Sequence, residues 1–363
     1  MKVFVLTENL QRKLSFVNHA ISGRNQLPIL SQILIEAKEN KLVISPTDLE
    51  IGIEVSLQVQ IEEEGSTTVP AKLFSELISA LPQEKITLKT REGLLEVKSS
   101  KTKSTLQTMP KEEFPMLYEE LGEEILSLTP DEFKQHVGHV VFAASIETSR
   151  PALSGMLLKK TSQNVLFVAT DGYRLSLDTK IAETQAETAM IIPARVIREA
   201  LSLKEDGAIS IYVAKKQNQI IFAQKENILV GRLIEAEFPN YEKIIPTDFA
   251  TKVVFDREQM LKAVKTCAIF ARETGNIMKL AITKGKIIVS AKTPSLGENT
   301  VEVEAQMTGE ENEIAFNGKY LLDILSNMNE SDLSFEMSGP LNPGVFRIAN
   351  STSFLHLIMP IRI

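Results

Sequence analysis

Few residues of this 363-residue chain have the types and spacing that chemistry needs. His136 and His139 stand three apart in "FKQHVGHVV", which puts both imidazoles on one face of a helix, where they could share a metal ion. No cysteine and no H-E-x-x-H pattern joins them, so they read as surface histidines rather than ligands. Asp171, in "VATDGYRLSLD", has no second carboxylate or histidine beside it. Asp-Gly between two alternating segments reads as a hairpin turn, not as an acid at an active site. Cys267, the single cysteine, lies among apolar residues of a helical stretch and reads as core packing rather than a nucleophile. Neither a G-x-x-x-x-G-K-[ST] loop nor a G-x-G-x-x-G turn is present. What remains is cationic. Lys72, Arg195 and Lys319 each stand two residues before the apolar stripe of a helix, in its first turn. A positive charge there opposes the helix macrodipole at a cost of about 0.3 to 1 kcal/mol. Three in register point to a shared external anion, which the free N–H groups of helix N termini already attract. Arg12, Lys13, Arg24, Lys134, Arg198, Lys262 and Lys265 lie on or beside the same helices and strengthen that reading.

The elements that carry these cations repeat. "VPAKLFSELISALP", "IPARVIREALSL" and "FNGKYLLDILSNM" each read as a helix entered from a strand. Their apolar residues fall at i, i+3 and i+4 from Phe74, Ile197 and Leu321, and at i+7 as well in the first and third copies. These starting points are 123 and 124 residues apart, so the repeat is a whole domain and not a short solenoid unit. Each copy opens with a strand and a first helix. Thr129, Pro130 and Glu132 form a capping box with proline at the first helical position, and Asp256 with Gln259 caps the third copy's helix. Strand pairs follow, such as "ILIEAKENKLVISPTDLEIGIEV", with the alternation of antiparallel hairpins buried on one face. The copies divide the chain into domains 1–122, 123–248 and 249–363. The apolar ending "SFLHLIMPIRI", unusual for a terminus, reads as the last strand of the third copy.

Composition sets outer limits. The chain is 43% hydrophobic and 24% charged, with a net charge of -7, which fits a globular protein of two or three domains. No run nears the roughly 18 apolar residues of a membrane span, and the first residues turn polar too early for a signal peptide. One cysteine fits a reducing, cytoplasmic setting. A net negative charge counts against nucleic acid as a partner, yet net charge does not fix how charge is distributed. The acidic excess is expected on strands and loops such as "IEEEG" and "TGEENE".

"GRNQLPIL", "PTDLEIGIEV", "TTVPAKLFSELISALP", "SRPALSGML", "VATDGYRLSLD", "FPNYEKIIP" and "LIMPIRI" occur in the order found in bacterial sliding clamps, the beta subunits of DNA polymerase III, and the chain resembles that family over essentially its whole length. The resemblance implies an α+β protein of three repeated DNA-clamp domains, with helices lining the inside of a ring of two head-to-tail chains and antiparallel sheets outside. It implies a processivity factor with no catalytic site, cofactor or metal. The partners implied are encircled double-stranded DNA of any sequence and, through short peptides, the polymerase III alpha subunit, the clamp loader, other polymerases and repair proteins. Arg24, Lys72, Arg195, Arg198 and Lys319 would then face DNA. The implied peptide pocket comprises Arg150, Leu153, Thr170, Gly172, Tyr173, Arg174, Leu175, Pro239, Lys243, Ile244, Asn317, Tyr320 and Val345, with Leu357, Ile358, Met359, Pro360, Ile361 and Arg362 of the tail. Tyr173 where histidine is common, Ala152 where an aromatic can stand, and Lys243 for arginine depart from the pattern of some members and bear on peptide preference. For the contact between chains, the sequence offers opposite charges, Lys101 and Lys103 against Glu298 and Glu302, and the resemblance adds Leu106, Ile269 and Phe270. Two other classes compete. An enzyme on three duplicated domains would need a polar constellation that one copy alone carries, and a scaffold that only displays peptides would leave the in-register cations without a purpose.

Overall fold

The computed structural model describes residues 1–21, 27–147, 149–182, 187–295 and 297–362. It divides into two compact units, each considered by itself.

The first unit comprises Met1–Phe133 and Arg195–Leu233. Helices α1 (Thr7–Val17) and α2 (Ala71–Ala80) turn Leu10, Leu14 and Val17, and Phe74 and Ile78, inward. The i, i+4 spacing of Leu10 with Leu14 and of Phe74 with Ile78 makes one apolar stripe per helix. A five-stranded antiparallel sheet ends at the strand Lys103–Gln107. An eight-stranded sheet pairs Ile51–Gln58, of the first repeat, with Asn227–Arg232, of the second, Gly52 lying opposite Val230. Helix α3 (Pro130–Val141) opens with the expected capping box: the Thr129 N–H donates to Glu132 Oε2 at 2.9 Å, and the Glu132 N–H to Thr129 Oγ1 at 3.3 Å.

The second unit comprises Lys134–Ala194 and Ile234–Ile363. Its twelve-stranded sheet joins repeats in the same way, pairing Arg174–Ile181 with Phe354–Ile358. The compact units therefore do not follow the repeat, because each set of second-copy strands continues a sheet from a neighbouring copy. Helix α4 (Ala194–Ala200), the short second helix of the middle copy, belongs to the first unit from Arg195 onward. Helices α5 (Arg257–Ala271) and α6 (Gly318–Asn327) cover one sheet face, closing a core with Phe316, Phe335, Phe346, Phe354 and Ile358. Asp256 caps α5 as expected, its carboxylate accepting from the Gln259 N–H at 2.7 Å. Cys267 is a core residue of α5. It is fully buried, its thiol donates to the Val289 carbonyl at 3.4 Å, and burial pushes its pKa up to about 11.

The tail differs from the expectation. Its strand ends at Ile358, and Met359–Arg362 run on outside the sheet ladder, tied by the Met359 N–H to Tyr173 O at 2.9 Å and the Ile361 N–H to Ala315 O at 2.8 Å. Pro360 has no N–H to offer a ladder, which ends regular pairing there. Among the described residues, no helix is long and apolar enough to cross a membrane.

Candidate functional site

The site begins at the turn between strands Asn164–Thr170 and Arg174–Ile181. The Thr170 hydroxyl donates to Arg174 O at 2.6 Å and accepts from the Gly172 N–H at 3.1 Å. One Asp171 carboxylate oxygen accepts from the N–H groups of Tyr173 and Arg174 at 2.9 and 3.0 Å. Gly172 takes φ of 92°, a left-handed conformation that glycine adopts without a side-chain clash. This folding leaves Tyr173 exposed. Asp171 is thus the turn residue the sequence suggested, and it also orients a side chain, its other oxygen accepting from Arg174 Nε at 3.0 Å.

Arg174 is buried and fully engaged. Beyond Asp171, it donates to Asp323 Oδ2 at 2.5 Å and to Phe142 O at 3.1 Å, and its guanidinium lies 4.6 Å from the Tyr320 ring centre. Its geometry suits holding α6 and Tyr320 against the turn more than meeting an external charge.

Strand pairing assembles the floor. Leu175 lies opposite Leu357, which lies opposite Val345; all three are fully buried, in one cluster with Leu157, Val168 and Tyr241. Ile358 corrects the sequence reading. Successive strand residues face opposite sides, so Ile358, fully buried, points into the α5–α6 core rather than toward the floor that Leu357 joins. Leu153 and Thr170 are buried. Asn317 caps α6, accepting from the Lys319 N–H at 3.0 Å, and Tyr320 is half-buried beneath Arg174. The rim is open: Arg150, Gly172, Tyr173, Pro239, Lys243, Ile244, Met359 and Arg362 are exposed, with Pro360 and Ile361 half-buried. Three large apolar side chains, Tyr173, Ile244 and Met359, stand out to solvent around a sealed apolar floor. Ala152 is half-buried and packs on the floor cluster. Pro239 also lines an adjoining cavity of about 530 Å³ with Met190, Ile234, Phe238 and Tyr241. Sequence reasoning missed these four. Phe238 and Tyr241 lie in "FPNYEKIIP", one of the stretches that carries the family resemblance, whereas Met190 and Ile234 leave no mark there.

The histidines prove to be interior residues, which corrects the surface reading. His136 Nδ1 meets Asp178 Oδ1 at 2.7 Å, and His139, buried, stands 3.9 Å from both Asp178 Oδ2 and Glu330 Oε2. Their shared helix face was predicted correctly, but it turns toward the sheet. Burial holds the pKa of His139 down, against the pull of Glu330 and Asp178. His356 Nδ1 lies 2.6 Å from Ser176 Oγ, and burial, with Arg174 adding to it, holds that pKa well below the ordinary value. Asp178, Ser176, His139 and His356 are each at most 2% exposed, so this polar constellation is closed to solvent. Among the described residues, no group of three His, Cys, Asp or Glu is placed to hold a metal.

The cations divide. Lys72 and Lys319 are exposed in the first turns of α2 and α6, and Arg198 is exposed on α4. Among the described residues Lys72 has Glu76 as its one ion-pair partner, at 4.0 Å. Arg195 departs from the expectation of a shared external anion: its guanidinium binds Asp48 at 2.6 Å and Glu50 at 3.5 Å. Asp48 lies in "PTDLEIGIEV", where Ile51 stands at the position that Arg174 takes in "VATDGYRLSLD", so the guanidinium that meets Asp48 comes from Arg195 instead. Lys13 is also engaged within the chain and, unlike Arg195, is buried, between Glu205 and Asn227, each at 2.8 Å. Arg24 lies outside the described residues.

Of the residues expected between chains, Ile269 is exposed and Phe270 half-buried. Leu106 is a buried residue of the edge strand Lys103–Gln107, opposite Leu95, and offers almost no surface to a partner because its side of the strand faces its own core. Lys103 is paired with Glu96 at 2.8 Å and Glu302 with Lys286 at 2.6 Å, so these charges already have partners. Lys101 and Glu298 are exposed.

Three family models match in sequence: DNA polymerase III beta subunit, N-terminal domain, at residues 1–118, its central domain at 127–240 and its C-terminal domain at 242–362. The beta sliding clamp of Synechococcus elongatus is 28% identical, with all of both chains covered. The crystal structure of the DNA polymerase sliding clamp from Bacillus subtilis superposes with a TM-score of 0.94 at 26% identity, covering 100% of this chain and 99% of that one. The sliding clamp from Pseudomonas aeruginosa bound to griselimycin also gives a TM-score of 0.94, at 28% identity with both chains fully covered. Both the order of the matches and the fold of the whole chain agree: this chain belongs to the family of DNA polymerase III beta subunits.

Proposed function

We propose that this chain is a sliding clamp. Two copies close head to tail into a ring around duplex DNA, each contributing the three domains 1–122, 123–248 and 249–363, and the ring tethers a replicative polymerase and other partners in the bacterial cytoplasm. The chain acts as a processivity factor and carries no catalytic site of its own. Its partners dock short apolar peptides on the site bounded by Tyr173, Ile244 and Met359, where an exposed apolar rim surrounds a preformed floor. The observation that carries this reading is the consecutive match of all three beta-subunit domain models from residue 1 to 362, supported by full-length fold likeness to sliding clamps. Lys72, Arg198 and Lys319 are the cations proposed to face DNA, with Arg24 added by family resemblance. Arg195 has a smaller part, since its charge is already shared with Asp48 and Glu50.

Topology supplies the test. Exposed lysines bind phosphate through screened contacts that weaken steeply with salt, whereas a closed ring leaves a circle only if an interface opens. After loading, moderately raised salt is expected to strip the protein from linear DNA within seconds and to leave it on intact circles, and cutting the circle releases it. Gel filtration before and after linearisation measures this. Equal loss from circles and linear molecules would reject the clamp reading.

A further inference from the structure

The turn that builds the site of the second unit is reproduced in the first. The Thr47 hydroxyl donates to Ile51 O at 2.9 Å, as Thr170 does to Arg174 O at 2.6 Å. One Asp48 oxygen accepts from the N–H groups of Glu50 and Ile51 at 3.1 and 2.8 Å, as Asp171 accepts from Tyr173 and Arg174. The Arg232 N–H donates to Glu50 O at 3.1 Å where the Met359 N–H donates to Tyr173 O at 2.9 Å. Gly52 lies opposite Val230 where Leu175 lies opposite Leu357. At this point the first unit has a cavity of about 170 Å³, room for a single aliphatic side chain.

Two features show that this is more than a copied scaffold. The first is an apolar rim: Leu49 is 54% exposed and Met116 77% exposed, and both line the cavity. Leu49 holds φ of 75° at the position where the other turn has glycine. A leucine there is strained and wets its side chain, and neither folding nor packing asks for it. The second is charge. The site of the second unit displays Arg150, Lys243 and Arg362 on its rim. Here Glu119 stands in the place of Lys243, Glu50 is 80% exposed with Arg195 3.5 Å away as its partner, and Arg232 is the only cation among the described lining residues. The floor also differs. A side chain on Gly52 would come within 2.7 Å of Leu117, so the glycine lets Leu117 supply the apolar surface that Leu175 supplies in the other site.

We infer that the turn Asp48–Glu50 forms a second peptide-docking site, which takes one aliphatic side chain of a short peptide flanked by basic residues. The inference rests on reading the second unit's site as a peptide groove for the class of ligand, and the test separates the two. The full-length chain, labelled with ¹³C at the methionine methyl groups, is titrated with two probes, acetyl-Lys-Leu-Leu-Phe-Lys-amide and acetyl-Glu-Leu-Leu-Phe-Glu-amide. The basic probe is expected to shift the Met116 methyl resonance saturably, and the acidic probe to leave it in place. In Leu49→Gly, which relieves the strained turn and so folds at least as well, the affinity read at Met116 should fall about tenfold, as expected for losing most of one buried aliphatic contact, with the response of Met359 unchanged. A Met116 methyl that ignores both probes while Met359 responds overturns the second site and leaves the first reading standing. Silence at both methyls rejects both readings. A Met116 response to the acidic probe that matches the basic one overturns the assigned peptide chemistry.

Discussion

Arg195 shows at residue scale how position in sequence and physical role can part. It shares its place in a helix first turn with Lys72 and Lys319 but binds Asp48, whose side chain is nearly buried. Arg195→Ala would leave that carboxylate with its amide donors but no counter-charge. A loss of about 1 to 2 kcal/mol is expected, since bonds to charged groups are worth roughly 1.5 to 3 and this one is partly screened. Lys72→Ala should stay within about 0.5 kcal/mol. Urea unfolding of both variants checks the contrast; equal stability would mean that the ion pair contributes nothing. His356 makes a pH prediction at the same scale. Its folded pKa is depressed well below the ordinary 6.5, so its neutral form contributes stability that is complete above that value. The contribution is lost as pH falls through the unfolded pKa toward the folded one, because the unfolded chain takes up the proton first. His139 acts in the same direction. The urea midpoint is expected to drop between pH 7 and pH 5, and to drop less in His356→Gln.

Among the elements, the terminal strand carries two roles that divide at Ile358. Phe354, Leu355, Leu357 and Ile358 are buried and paired with Arg174–Asp178, and Leu357 and Ile358 are paired on their other edge as well, while Met359–Arg362 hang from two backbone hydrogen bonds. Truncation after Ile358 is therefore expected to keep the fold, shifting the thermal midpoint by only a few degrees, roughly what 1 kcal/mol does in a chain this large. Binding of an apolar peptide, followed by fluorescence anisotropy, should be lost with it, because Met359 is part of the rim. Truncation after Ser353 removes four buried apolar side chains, worth roughly 1.5 to 3 kcal/mol each, and should unfold the unit. Unchanged peptide affinity in the shorter truncation would move the docking site elsewhere.

For the whole molecule, ring closure depends on surfaces that one chain shows only in part. Lys103 and Glu302 are already satisfied within the chain, and exposed ion pairs are worth about 0 to 1 kcal/mol, so Lys103→Glu should hardly change self-association. The exposed Ile269 and the half-buried Phe270 beside it are better placed to carry the contact. Ile269→Ala with Phe270→Ala is expected to give folded monomers by light scattering and circular dichroism. Dimers persisting at low concentration would place the contact on other residues. A ring further requires that the head-to-tail rotation closes.

The threefold repeat, the helix faces, the caps at Thr129 and Asp256, the turn at Asp171 and the core role of Cys267 were legible in the order of side chains, because periodicity and local hydrogen bonding act over a few residues; the family was legible as a resemblance of whole stretches. What meets across long separations was settled by the folded chain. It turned His136 and His139 inward to Asp178, withdrew Arg195 and Lys13 into ion pairs, buried Leu106, pointed Ile358 away from the site while Leu357 entered its floor, and brought Leu49 and Met116 to one cavity. Each of these depends on strand register or on which face of a helix meets the sheet, and a shift of one residue would reverse it.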